Sequence, residues 1–252
     1  MTLGRAPGDH FSTVSAAYAV FRPRYPRELF EFIASVVARH ERAWDCGAGS
    51  GQATMDLAEW FDEVIATDVS EEQIARAPRN PKITWLAAPA EATPLAAASV
   101  DLVAVAQALH WFDHARFYAE ARRVGARGAA ICAWTYSAAQ MDGPVGRALR
   151  RFTFETMADY WPAERRHVDE GYRSIPFPFE PLAAPRLSLH DEWTRARLTG
   201  YMRTWSSTAR FVAAHATDPV MSFEHELDAL WPNPDEPRRI VWPLIVLAGR
   251  LS

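Results

Sequence analysis

Short apolar runs alternate with amphipathic stretches through the first half of the chain. The runs 43–46, 64–67, 83–87, 100–106 and 129–136 are each the length of a strand. Between them, 26–39, 54–61, 71–77 and 113–124 space their apolar side chains for a helix; Leu29, Ile33, Val36 and Val37 share one face of the first, and Phe117, Ala121 and Val124 one side of the last. The run 100–106 is almost wholly apolar, as in parallel strands covered on both faces. Strands and helices alternating at this spacing predict an α/β fold with a doubly wound, mostly parallel sheet.

The pattern loosens after residue 137. Proline becomes denser, and Pro176-Phe-Pro-Phe-Glu-Pro181 breaks regular structure. Helices are predicted over 143–160 and 194–203, and a strand over the alternating segment 186–190. The β-branched run 239–247 predicts a last strand, with Pro243 placing it near an edge or a bulge. These strands bring the expected sheet to seven. The segments 138–182 and 193–238 are read as helical insertions packed as a cap over one end of the sheet. The 252 residues then form a single domain in two parts, 1–137 and 138–252.

Composition narrows the function. Hydrophobic residues make up 49% and charged residues 23%, enough for a packed core. The net charge of −4 argues against a nucleic-acid binder or a polybasic membrane binder. Cys46 and Cys132 sit singly in strand-like runs, which predicts buried, reduced thiols. The first ten residues lack the apolar core of a secretory signal, and the apolar stretches 100–112 and 240–249 are too short to span a bilayer. A cytoplasmic protein with no membrane partner is expected, as a monomer or homodimer.

The chemistry concentrates at Asp45-Cys-Gly47-Ala48-Gly49-Ser-Gly51-Gln52, directly after one strand and before a helix. Glycines at such a turn let the backbone bend sharply and approach a ligand closely, and the helix start offers free N–H groups. A dinucleotide fingerprint needs a third glycine at position 52, which is Gln. Asp45 would repel a pyrophosphate but suits an ammonium group. Asp68, closing the next strand, can accept hydrogen bonds from ribose hydroxyls, although that alone would suit NAD equally.

Together with Ala90-Glu91-x-x-Pro94-Leu95, Ser99-Val-Asp-Leu-Val103 and Gln107-Ala-Leu-His110-Trp111, these residues resemble the class I S-adenosylmethionine (SAM)-dependent methyltransferases, and most the type 11, trans-aconitate methyltransferase-like subgroup. The resemblance covers roughly residues 11–137, the part it marks as a SAM-binding core with an N-terminal cap. It implies a Rossmann-like methyltransferase fold, SAM as cofactor, S-adenosylhomocysteine as product, and a small-molecule methyl acceptor. It further implies that Asp45 holds the methionine ammonium through water, and that Gly47, Ala48 and Gly49 lie against the methionine part. Asp68 would bind the ribose, Val69 would pack on the adenine, Ala90 and Glu91 would edge its amino group, and Gln107 would offer its carbonyl to the ammonium. In the cap, Tyr18 would approach the sulfonium as a catalytic group and Arg22 the cofactor carboxylate. Tyr25, Trp111, Arg203 and Trp205 are candidate acceptor contacts.

Displacement at a sulfonium releases a neutral thioether, so alignment and exclusion of water can supply most of the catalysis. A hydroxyl acceptor adds the need for a base, and His110 is the candidate. A carboxylate acceptor needs only positioning, for which Arg is suited; the insertions hold Arg147, Arg150, Arg151, Arg165, Arg166, Arg203 and Arg210. No metal is expected, because the cysteines are isolated and the motif carboxylates have organic partners. The alternative is a SAM- or S-adenosylhomocysteine-binding protein that transfers no methyl group.

Overall fold

The computed structural model describes residues 23–251. The first half carries α1 (Arg27–Ser35), β1 (Arg42–Cys46), α2 (Gln52–Leu57), β2 (Glu63–Asp68), α3 (Glu71–Arg76), β3 (Ile83–Ala87), β4 (Val100–Ala106) and α4 (His114–Val124). β5 (Gly125–Tyr136) follows, then α5 (Gly143–Arg151), α6 (Arg165–Asp169), β6 (Glu180–Pro181), β7 (Leu187–Trp193), α7 (Arg195–Arg203), α8 (Ser206–His215), α9 (Val220–Leu230) and β8 (Arg238–Arg250).

The sheet runs β3-β2-β1-β4-β5-β8-β6, with β7 also on β8. The first five are parallel, and β8 enters antiparallel beside β5. Among the described residues the sheet has eight strands rather than the expected seven. β5 occupies one edge of β8, pairing Tyr136 with Leu244 through Ala130 with Arg250. β7 takes 238–244 on the other edge and the two-residue β6 takes Gly249 and Arg250. One outer position is thus shared by two short segments.

Alternation along the central strands divides the core between two faces. Leu102, Ala104, Ala130, Cys132 and Trp134 pack with Leu29 and Ile33 of α1. Val103, Val105, Ile131 and Ala133 pack with Phe117 and Ala121 of α4. Cys46 and Cys132 lie on opposite faces as buried free thiols. The helices of the second half do more than sit over an end of the sheet: Leu149 of α5, Met202 of α7 and Phe223 of α9 join the same cluster as α1.

Two local departures have physical causes. The predicted helix 143–160 ends as α5 at Arg151, continues as a π-turn (Phe152–Thr156) and then a 3-10 turn (Ala158–Tyr160). Thr153 Oγ1 donates to the Leu149 carbonyl at 2.8 Å, a back-bond that bends helices, and Trp161 Nε1 donates to the Thr153 carbonyl at 2.9 Å. Pro243 lies inside β8, in unbroken register against β7 with Ser188 opposite it, and just past the end of β5, whose final pair is Tyr136 with Leu244. Beyond the end of β5, Ser137 N donates to Pro243 O and Gln140 N to Val241 O, so the proline, which offers no donor, sits where the regular β5 ladder has already stopped.

Candidate functional site

The strand order reverses between β1 and β4, and in open α/β sheets ligands bind outside the carboxyl ends of the strands at such a point. A cavity of about 330 Å³ opens there. One half is walled by the glycine turn after β1 and by Asp68, Val69 and Ala90; the other by His110, Trp111 and the cap residues Trp161, Arg165, Tyr201 and Trp205.

The glycine turn is shaped by conformations a side chain would resist. Gly47 has φ +70°, and a Cβ there would fall 2.6 Å from the Ala108 Cβ; Gly51 has φ +90° and opens α2. The Gly47 and Ala48 amides donate to the Thr67 carbonyl at 2.9 and 3.0 Å. Asp68 locks the turn, since its Oδ2 accepts from Gly49 N and its Oδ1 from Ser70 N, both at 2.8 Å. Asp68 lines the cavity, and beside it Val69 is 66% exposed, an open apolar platform.

Asp45 lies beneath this turn, fully buried, and is not part of the cavity wall. Its Oδ2 accepts from Thr54 Oγ1 at 2.6 Å; its Oδ1 has no hydrogen-bond partner among the described residues. Burial pushes its carboxyl up to about 7, the Thr54 hydrogen bond opposes this, and the charge of Asp68 adds to it. Gln107, after β4, is held in a left-handed conformation (φ +56°), with its amide donating to Trp134 O at 2.9 Å and its Oε1 accepting from Thr135 Oγ1 at 2.6 Å. Such strain in a non-glycine residue clusters at functional sites.

His110 stands at the junction of the two halves, in a 3-10 turn (Leu109–Trp111). Its ring lies 4.9 Å from that of Trp111, and its Nδ1 is 3.1 Å from the Tyr172 hydroxyl. Burial first, then the nearby charge of Arg165 and smaller effects of His167 and His114, lowers its pKa to about 3. This imidazole is neutral at pH 7 and a weak base, which counts against the base role read from the sequence.

Among the expected site residues, Gly47, Ala48, Gly49, Asp68, Val69, Ala90, Gln107, His110, Trp111, Tyr25 and Trp205 line the cavity. Tyr25 meets the Trp134 ring edge-on at 5.8 Å, and Trp205 lies 5.3 Å from Trp161. Glu91 and Arg203 are placed elsewhere. The Glu91 carboxylate accepts from Asp113 N at 2.9 Å, at the start of α4. The Arg203 guanidinium binds Glu224 through two 2.8 Å bonds and Asp218 at 2.7 Å, stapling α7 to the start of α9. Tyr18 and Arg22 lie outside the described residues.

Two residues were poorly distinguished by sequence: Arg165, which lines the cavity, and Tyr172, buried behind His110. Arg165 was one arginine among seven, yet its guanidinium stacks on Trp161 at 4.2 Å and its Nε donates to Asp169 at 2.9 Å. Tyr172 carried no motif at all. His110 and His114 have the spacing of a helical metal pair, but His114 Nε2 is bonded to Leu109 O at 3.1 Å. No group of three metal-ligating side chains occurs among the described residues, and no helix there is long and apolar enough to cross a membrane.

Comparison with known proteins agrees with this arrangement. Residues 44–133 match the family described as Methyltransferase domain. A relative from Dictyostelium discoideum, named as a methyltransferase, is 32% identical over 237 residues, covering 92% of this chain and 90% of its own. One from Mycobacterium tuberculosis, named only as a methyltransferase, is 40% identical over 116 residues, 45% of this chain and 46% of its own. A solved structure from Anaeromyxobacter dehalogenans, described as a type II methyltransferase, superposes with a TM-score of 0.86 at 44% identity, covering 92% of this chain and 98% of that one. The glycine turn, Asp45 and Asp68 lie within the matched residues, and the chain belongs to the class I SAM-dependent methyltransferases.

Proposed function

We propose that the protein methylates the carboxylate oxygen of a small organic acid, using SAM. The observation that carries this reading is Arg165, a cation set in the acceptor half of the cavity beside a neutral His110. The residues fit the cofactor: a glycine cradle that a Cβ would fill, an ionisable Asp45 whose Oδ1 lacks a partner among the described residues, and Asp68 at the wall. Asp68 would hold the ribose hydroxyls, Val69 and Ala90 the adenine, Gly47 and Gly49 the methionine chain, and Asp45 with the Gln107 carbonyl the ammonium. When bound, SAM supplies an electrophilic methyl group.

The chain's own residues bind, orient and exclude water. Arg165 has its Nε committed to Asp169, so its outer nitrogens can grip a carboxylate bidentately. Trp161, Trp205 and Tyr201 wall the acceptor in apolar surface. Alignment of this kind is worth up to about 7–11 kcal/mol. A carboxylate is already a nucleophile at pH 7, which suits a site whose histidine is a weak base. A carboxylate acceptor also supports the trans-aconitate methyltransferase-like subgroup, and the two buried thiols suit a reducing, cytoplasmic compartment.

The test is a screen with methyl-labelled SAM against a panel of small carboxylic acids, alcohols, phenols and amines. The expected outcome is label in an alkali-labile methyl ester. Label only in ethers or methylamines would overturn the carboxylate reading, and binding of S-adenosylhomocysteine with no transfer to any class would favour a cofactor-binding protein.

A further inference from the structure

Tyr172 is almost wholly buried, yet its backbone is left-handed, with φ +60°. Helix α6 ends in a Schellman turn: Gly171 N donates to Val168 O at 2.9 Å and Tyr172 N to His167 O at 2.7 Å. Gly171 supplies the positive φ that this turn requires. A second positive φ, on a tyrosine, is strain that the turn does not ask for. Its result is that the phenol reaches beneath the 3-10 turn of His110, with hydroxyl to Nδ1 at 3.1 Å and ring centroids 6.0 Å apart.

The surroundings of that hydroxyl decide where its proton goes. Burial pushes the phenol's pKa up, and the backbone of His110 and Leu109, at the open start of the 3-10 turn, partly opposes this. Thr135 Oγ1 also faces it and gives its own proton to Gln107 Oε1. The phenol proton therefore has two takers, the Thr135 oxygen and His110 Nδ1, and imidazole nitrogen is the stronger base. Donation to Nδ1 leaves the imidazole proton on Nε2. That nitrogen has no partner among the described residues, and His110 lines the cavity on the side of Arg165.

We propose that Tyr172 is a positioning residue that fixes His110 as the neutral tautomer protonated at Nε2, and that this N–H donates to the acceptor's carboxylate beside Arg165. The tautomer assignment starts from the 3.1 Å contact between the hydroxyl and Nδ1 and is independent of the function proposed above, while the carboxylate contact rests on that function. Burial and the charge of Arg165, which disfavour a cationic imidazole, support the neutral form. The opposite tautomer would turn a lone pair toward the anion.

The experiment is long-range nitrogen–proton correlation spectroscopy of the full chain, labelled with nitrogen-15 histidine, at pH 7 with S-adenosylhomocysteine. His110→Gln identifies the signals. The expected result is a protonated Nε2 with an unprotonated Nδ1, shifting to a mixture in Tyr172→Phe while S-adenosylhomocysteine affinity stays within about twofold. A proton on Nδ1 in the wild type, or an unchanged tautomer in Tyr172→Phe, would overturn the proposal. Should that variant not fold, fluorotyrosine at 172 strengthens the donor and must move the Nδ1 resonance; no movement overturns it equally. With a methylated acid in hand, Tyr172→Phe should raise the acceptor KM by roughly tenfold and leave the SAM KM unchanged. The expected tautomer with no carboxylic acid methylated would remove the carboxylate contact and leave the tautomer standing.

Discussion

Thr54 Oγ1 donates a 2.6 Å hydrogen bond to Asp45 Oδ2, and both residues are fully buried. That bond satisfies one carboxylate oxygen, and the other has no partner among the described residues. It is too little to keep the group ionised, and the carboxyl is pushed up from 3.8 to about 7.

The sign of the pH dependence follows. In the ligand-free protein the native state holds a proton on Asp45 that the unfolded chain has released, so this contribution to stability is full below about 3.8 and is lost as pH rises through about 7. An ammonium near Asp45 favours the ionised form, so cofactor binding expels that proton. Calorimetry should show S-adenosylhomocysteine binding tightening from pH 6 to 8 and then levelling, with buffer-dependent proton release at pH 6. Asp45→Asn should bind more weakly and lose the pH dependence; a parallel pH profile in that variant would remove Asp45 from cofactor binding.

Asp68→Ala frees the glycine turn and removes the acceptor proposed for the ribose. Binding of S-adenosylhomocysteine should weaken by about 1.5–3 kcal/mol, the worth of hydrogen bonds to a charged group. An unchanged dissociation constant in a folded variant would contradict this role.

Gly47→Ala combines an unfavourable φ with a Cβ 2.6 Å from Ala108. Denaturant unfolding should show a loss of about 1–3 kcal/mol, since strained backbone and overpacking each act in that range. Gly128, also at positive φ but with open space around it, separates the two effects: Gly128→Ala should cost only the backbone part.

Arg165→Ala should raise the acceptor KM by roughly tenfold or more and leave cofactor affinity nearly unchanged. Arg165→Lys should recover little of that, because a point charge lacks the planar fork that grips a carboxylate. Equal damage to cofactor binding would instead assign Arg165 to the cofactor's own carboxylate.

Transfer should persist in EDTA. Complete loss on chelation, restored by magnesium, would show that a metal takes part.

The sheet was legible because its signals are local. β3 and β4 begin and end where their apolar runs do, and the helix capped by Asp113 starts one residue inside its predicted span. The glycine turn was legible for the same reason: its residues are contiguous and their conformations are needed whatever surrounds them. The acceptor half was not. Trp161, Arg165 and Tyr172 are brought to His110 by the broken helix after α5 and the turn after α6, contacts between residues about 50–60 positions apart in the chain, which no sequence period encodes. Arg203 looked no different from Arg165 until Asp218 and Glu224 were seen to hold it. α9 was missed although Val220, Phe223 and Leu227 carry a helical spacing, because proline and charge around it obscured its ends.

The place of β8 between β5 and β7 has a consequence for how the molecule comes into being. β5 finds its partner only when residues 244–250 exist, more than a hundred positions later, and β6 and β7 wait for the same strand. Until residues 244–250 have emerged from the ribosome, β5 presents a bare edge of the kind that invites pairing with another chain. A nascent chain that stops short of β8 thus holds a complete glycine turn on an unfinished sheet, and its exposure to aggregation is concentrated in the interval between the emergence of β5 and that of β8.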